Sequence, residues 1–273
     1  MHTKLSRPSL LRLTLALSAI AAGHAVANDR HFGYVYETAT MPVGMRELEV
    51  WNTASVGRAD YYSRLDHSLE FETGLTDNLQ GSLYLNWRNT TADTGSGNRA
   101  TKFEWKGLAT ELKYKLLDPS VDPLGFALYG ELGYNTDELE LETKAIFDKR
   151  LGPWLLAANF AGEFEYESEG SELELEEIGL EGTFGASYAI SPRLALGLEM
   201  RSHNEIAKSA SSEMEFESSA LYLGPTVAWS SKSWWLTFTA LPQIAAFKHE
   251  GGGIRDLKDH EAMQARLLLS FHL

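Results

Sequence analysis

The chain has 273 residues, with 24 Lys and Arg against 38 Asp and Glu, and a formal net charge of −14. An acid excess this large excludes binding to nucleic acid by phosphate neutralisation, and the absence of cysteine excludes a disulfide framework, a thiol nucleophile and a thiolate metal centre. Past residue 27 no uninterrupted apolar run is long enough for a membrane helix, the nearest (234–247) being broken by Thr237, Thr239, Pro242 and Gln243, so any membrane crossing must be made by strands.

Lys4, Arg7 and Arg12 precede an apolar run from Leu13 to Ala22, and Ala25-Val26-Ala27 forms a small-x-small site. This pattern predicts a secretory signal peptide over 1–27, cleaved before Asn28. Residues 28–44 differ in character. The aromatic stretch His31-Phe32-Gly33-Tyr34-Val35-Tyr36 is followed by Met41-Pro42-Val43-Gly44, and a proline cannot donate to a central strand ladder. The segment reads as a periplasmic lead-in, either tucked into a lumen as a partial plug or lying over a lower rim.

From residue 45 the chain becomes a series of period-two segments divided by turn residues. Leu65, His67, Leu69 and Phe71 alternate with Arg64, Asp66, Ser68, Glu70 and Glu72. After Thr76-Asp77-Asn78, Leu79, Gly81, Leu83, Leu85 and Trp87 alternate with Gln80, Ser82, Tyr84, Asn86 and Arg88. That pair is a hairpin. Further strands are expected near 101–117, 125–135, 138–149, 154–167, 172–190, 194–204, 216–229, 234–247 and 261–273. With 45–57, 61–73 and 79–90 they make about twelve. Brief turns at 76–78, 118–124, 151–153, 191–193 and 230–233 alternate with links of which 91–100, 205–215 and 248–260 are longer, as expected of a transmembrane barrel with short periplasmic turns and longer outer loops. The terminal strand is the clearest. Met263, Ala265, Leu267, Leu269, Phe271 and Leu273 form one apolar face against Gln264, Arg266, Ser270 and His272, with Leu268 the exception.

That last strand resembles the terminal strand of Gram-negative outer-membrane β-barrels, where the segment addresses the chain to the barrel-assembly machinery; Leu273 departs from the Phe usual there. Tyr34-x-Tyr36, Pro42-x-Gly44 and Glu47-x-Glu49-x-Trp51 are similar to the opening of an uncharacterised family of proteobacterial outer-membrane barrels. The resemblance implies an all-β fold, one closed antiparallel barrel over 45–273. It also implies outer-membrane lipids and lipopolysaccharide as surroundings, and it brings no assigned activity. A soluble sandwich fits less well, because the polar phase is densely charged and the strands are longer than sandwich strands usually run. Trp87 and Trp105 are expected at the outer ends and Trp154, Trp229, Trp234 and Trp235 at the periplasmic ends, forming two interfacial girdles.

With the apolar phase toward lipid, the other phase lines a lumen. Its acids include Glu131, Glu140, Glu142, Glu163, Glu165, Glu181 and Glu199, with Asp66, Glu70, Glu72, Glu138 and Asp148. Its bases are Arg64, Arg88, Arg201 and Arg266, with Lys144. In a ring of twelve, strands 138–181 lie across from Arg64, Arg88 and Arg266, setting an acidic wall against a partly basic one. About eight strands enclose a space filled by side chains and sixteen to eighteen an open channel, so twelve allows small solutes to pass, and an acidic lumen favours cationic or neutral ones. The alternative is a lipid-modifying enzyme of the phospholipase kind, for which His67, Asn52 on the preceding strand and Ser63, four residues off, are weighed, or a structural barrel without transport. His67 lacks a serine two residues away, and His203 and Asn204 read as rim residues. His249, Glu250, Asp256, Asp259, His260 and Glu261 match no metal-ligand spacing, and the acidic run with Glu169, Glu172, Glu174 and Glu176 reads as solvated charge. No catalytic residue, metal or cofactor is expected.

Overall fold

A computed structural model describes residues 29–273 apart from 96, 170, 171, 210 and 249–252. The expected signal sequence and the His249-Glu250 pair therefore lie outside the described residues. Twelve strands are formed: β1 (Arg46–Val56), β2 (Tyr62–Gly74), β3 (Leu79–Asp93), β4 (Arg99–Leu117), β5 (Gly125–Tyr134), β6 (Glu138–Leu151), β7 (Trp154–Glu169), β8 (Glu172–Ser191), β9 (Leu194–Lys208), β10 (Met214–Ser230), β11 (Trp234–Ala245) and β12 (Met263–His272). Each pairs antiparallel with its sequence neighbours. The ring closes where β12 meets β1, in a register running from Glu47 opposite His272 to Val56 opposite Met263. Closure removes the free edges that hydrocarbon would penalise by several kcal/mol for each unsatisfied backbone group.

The alternation decides which way each side chain points. Leu65, Leu83, Leu128 and Leu196 are exposed on the outside, whereas Glu47, Glu49, Glu70, Glu72, Glu111 and Glu199 are buried inside. This is the reverse of a soluble fold, and it fits a wall with lipid around it and polar groups within. A transmembrane strand needs only about 9–11 residues. β4 with 19 and β8 with 20 therefore extend past the bilayer at the end where the longest connection, between β11 and β12, is found. Several expected loops are shorter than the sequence indicated, because β3, β9 and β10 stay paired beyond the apolar zone.

The lower half of the barrel holds residues 29–43. This segment forms no strand with the wall beyond a single parallel bridge, Val43 to Gly74. A side chain at Gly74 would collide with the backbone of Met41 and Pro42, and one at Gly185 would come 2.6 Å from the Phe32 ring, so both glycines let the segment approach the wall closely. Phe32 and Val35 pack on Leu155 and Ala157; Tyr34 on Ala220, Tyr222 and Leu241; Tyr36 on Ala127, Tyr129 and Ile146, with Trp51 alongside.

Candidate functional site

A chain crossing a bore without a ladder must find partners for its backbone elsewhere, and here inward-facing side chains supply them. Glu199 on β9 accepts the N–H groups of Gly33 at 2.7 Å, Tyr34 at 2.8 Å and Val35 at 3.3 Å, and the hydroxyl of Thr239 at 2.5 Å. Asn159 on β7 accepts the Tyr36 N–H at 2.6 Å and donates to the Tyr36 carbonyl at 3.0 Å. Asp148 on β6 takes the Thr38 N–H and hydroxyl at 3.0 and 2.7 Å, and Gln80 on β3 takes the Met41 N–H at 2.9 Å. Thr226 and Thr237 donate to the carbonyls of His31 and Arg30. Charged acceptors form the stronger of these bonds.

Glu37 ties the segment to itself and to the wall. It accepts the His31 N–H at 2.8 Å, lies 2.9 Å from His31 Nδ1 and is 3.3 Å from the Arg150 guanidinium. Burial alone would raise its pKa, but His31 and Arg150 outweigh burial and hold it down at about 2. Burial pushes the Tyr34 and Tyr36 hydroxyls up. The Arg30 guanidinium lies 4.1 Å from the centre of the Tyr36 ring and 4.8 Å from that of Trp51, and Arg266 lies 4.0 Å from the Tyr34 ring. These cation–aromatic contacts form a layer across the middle of the bore.

Two cavities lie on either side of this layer. The one on the turn side, about 900 Å³, is lined by Arg30, Glu37, Glu49, Glu70, Glu72 and Glu111 among others. Carboxylate oxygens of Glu47, Glu49 and Glu72 lie within 4.8 Å of one another, as do those of Glu70, Glu72 and Glu111. Much of this set is committed to the protein: Glu47 accepts from Trp235 at 3.0 Å and Ser270 at 2.6 Å, Glu49 from Trp51 at 2.8 Å, and Glu111 from the Tyr84 hydroxyl. The arrangement is a structural polar network, and we assign no metal to it. Sequence reasoning missed Glu47, Glu49 and Glu111 as inward acids, although each falls on the polar phase of its strand.

The cavity on the loop side is about 530 Å³. It is lined by Glu131, Glu140, Glu142, Glu163, Glu165 and Glu181, and by Arg64, Arg88, Arg201 and Arg266. Glu199 is not among these residues, because the threaded segment covers it. Across neighbouring strands Glu131 is paired with Glu142, Glu142 with Glu163, Glu140 with Glu165 and Glu165 with Glu177. Some charges are matched: Lys144 with Glu142 at 2.7 Å, Lys106 with Glu138 at 2.7 Å, and Arg201 with Glu181 at 2.5 Å. Glu131 accepts the Tyr129 hydroxyl. Among the described residues, Glu140, Glu163, Glu165 and Glu177 have no ion-pair partner. On the facing side Arg64 and Arg88 both bind Asp66, at 2.9 and 2.5 Å.

Trp105, Trp154 and Trp229 are exposed on the outer surface, Trp234 is half-buried beside them in phase, and Trp87 stacks on His67 with ring centres 5.5 Å apart. Trp235 corrects the girdle expectation. It is buried in the bore with its indole N–H on Glu47, because of two adjacent tryptophans in a strand only one can face lipid. His203 is likewise no rim residue: it lies 3.1 Å from Glu205 and 3.6 Å from Glu181 inside the cavity. Asn204 does lie on the exposed side and donates to the Leu180 carbonyl. His260 lines the cavity, burial lowers its pKa, and Glu261 pairs with Arg58 at 2.7 Å. Of the acidic run, Glu174 and Glu176 are held by Lys208. His67 Nδ1 is 2.7 Å from Asn52 Oδ1, which gives two members of a hydrolytic constellation. Ser68 turns to the opposite face and bonds Asn86, so it is not the nucleophile of this pair.

Residues 24–273 match the model of a family described as a family of unknown function (DUF6662). No curated protein sequence matches the chain. Among solved structures it is similar to the COG4313 outer membrane channel from Pseudomonas putida F1 (12% identity, 86% of this chain and 97% of that one, TM-score 0.57). It is also similar to the NanC porin (8%, 83% and 100%, 0.52) and to the translocator domain of the autotransporter NalP from Neisseria meningitidis (8%, 85% and 90%, 0.53). At these identities the likeness establishes the fold, an outer-membrane β-barrel.

Proposed function

The chain belongs to this family of unknown function, and we propose that it is a channel for small cationic or neutral solutes, closed at its middle by its own residues 29–43. The carrying observation is that, among the described residues, Glu140, Glu163, Glu165 and Glu177, inward carboxylates on β6 to β8, have no ion-pair partner. Such a wall concentrates cations within about a Debye length, roughly 8–10 Å at physiological salt. The barrel shared with a channel and a porin supports the reading. In it, residues 1–27 direct export, the last strand addresses the assembly machinery, and lipid and lipopolysaccharide surround the wall. The enzyme reading is less well supported, because Ser68 points away from the Asn52–His67 pair.

Planar-bilayer recording tests the proposal. The full chain should be mostly silent, and a chain lacking residues 30–41 should conduct steadily and favour cations in asymmetric salt. Changing Glu131, Glu140 and Glu163 to Gln in that shortened chain should lower the cation preference about two- to fivefold. A folded, shortened barrel that carries no current would overturn the channel.

A further inference from the structure

Resting on the channel reading, we infer that the loop-side cavity binds a small zwitterion, its ammonium group on the β5 to β8 wall and its carboxylate on the β12 to β3 wall. Like charges directly opposite one another on adjacent strands destabilise a sheet, and among the described residues no member of the pairs Glu140/Glu165 and Glu165/Glu177 has a cation at ion-pair distance, Lys106 and Arg88 acting on them only from farther off. An ammonium group placed there relieves both pairs at once.

The facing wall has the opposite deficit. Arg64 and Arg88 share one carboxylate, Asp66, which leaves a positive charge over. Arg266 has no carboxylate partner among the described residues; it donates to the Thr53 hydroxyl at 2.9 Å and the Gly33 carbonyl at 3.2 Å. A carboxylate is the acceptor that guanidinium groups bind best.

A second, independent feature points to a ligand here. Tyr34, Ser55 and His260 all line this cavity and are 5%, 0% and 3% exposed. Among the described residues the Tyr34 hydroxyl, Ser55 Oγ and His260 Nε2 have no hydrogen-bond partner, His260 Nε2 lying 4.0 Å from a Glu205 carboxylate oxygen. Buried polar atoms without partners are rare and costly. A lone cation would leave the arginines uncompensated and a lone anion would face the glutamates, whereas a zwitterion answers both walls and brings no net charge into the bore. The volume, about 530 Å³, falls in the range of small-molecule sites.

The test uses the purified full chain in detergent micelles at low salt. Isothermal titration follows linear ω-amino acids from glycine to 6-aminohexanoate, each beside the alkylamine and the alkanoate of the same length. One zwitterion length should bind at least tenfold tighter than either singly charged analogue. Glu140→Gln with Glu165→Gln, and separately Arg64→Gln with Arg88→Gln, should each weaken it about tenfold, while the heat-modifiable gel mobility of a folded barrel is kept. Equal binding of the alkylamine would replace the proposal by a simple cation site, and no binding by any probe would remove the site. Zwitterion binding by the full chain, together with silence of the folded barrel lacking residues 30–41, would keep this site and reject the channel instead.

Discussion

On the turn side of Tyr34 and Tyr36, the side chains of Glu199, Asn159 and Asp148 each meet a backbone N–H of the threaded segment; on the loop side, Glu140, Glu165 and Glu177 stand opposite one another on adjacent strands. The same alternation of twelve strands builds both halves. They differ in what the inward polar groups hold: below, they take up the backbone of residues 29–43, and above, they face a cavity. Hydrogen bonds from fixed side chains to the segment's backbone hold it in one arrangement, so the lower half is suited to keeping the bore shut. A cavity with unmatched charge has binding capacity left over, so the upper half is suited to a solute.

The comparison can be broken outright by opening the ring. Deleting Leu267–Leu273 removes six of the ten residue pairs joining β12 to β1 and exposes the β1 edge to hydrocarbon, where each unsatisfied backbone group costs several kcal/mol. Both halves should be lost together, read as absence of the folded, heat-modifiable band from outer-membrane fractions. A truncated chain that still gave this band would contradict the closure.

A narrower change should separate the halves. Glu199→Ala leaves the N–H groups of Gly33, Tyr34 and Val35 without their acceptor. At about 1–3 kcal/mol for each buried unsatisfied group, a net loss of about 3 kcal/mol would raise the population with the segment released roughly a hundredfold. Single-channel open probability should rise accordingly, with cation selectivity unchanged because the upper wall is untouched. Glu199→Gln, which keeps an acceptor oxygen, should have a much smaller effect. Equal open probability in Glu199→Ala and the native chain would mean that Glu199 is not the latch.

This division also explains what could be read in advance. The strands were legible because lipid and lumen impose a strict two-residue period, and the closing pair was legible because Met263 to Leu273 repeat it cleanly. The phase gave the inward side of Arg64, Glu140 and Glu163, but it could not say which charges are matched, since Arg201–Glu181 and Arg88–Asp66 depend on side-chain geometry across strands. The threaded segment was least legible. Residues 29–43 have no period, and their partners lie 110 to 166 residues away for Thr38 with Asp148, Tyr36 with Asn159 and Gly33 with Glu199. The pair Trp234-Trp235 carried too little local signal to show which ring turns inward.

The mildest test acts on the lower half through acid. Glu37 is held at about 2, below the usual carboxylate value of about 4.5, so its contribution to anchoring the segment is complete above pH 4.5. That contribution is lost progressively as the pH falls from there through about 2. The sign follows from linkage, because a carboxylate that binds protons more weakly in place than when released favours the held state at higher pH. Protease cleavage of the segment by an acid-active protease should therefore rise several-fold between pH 4.5 and 2.5. Glu37→Gln should show a raised baseline and lose the part of that rise that Glu37 supplies, while zwitterion binding in the upper cavity at neutral pH is left unchanged. If the variant followed the same acid curve as the native chain, the contacts of Glu37 with His31 and Arg150 would not be anchoring the segment, and the firmness of the lower half would rest on Glu199, Asn159 and Asp148 alone.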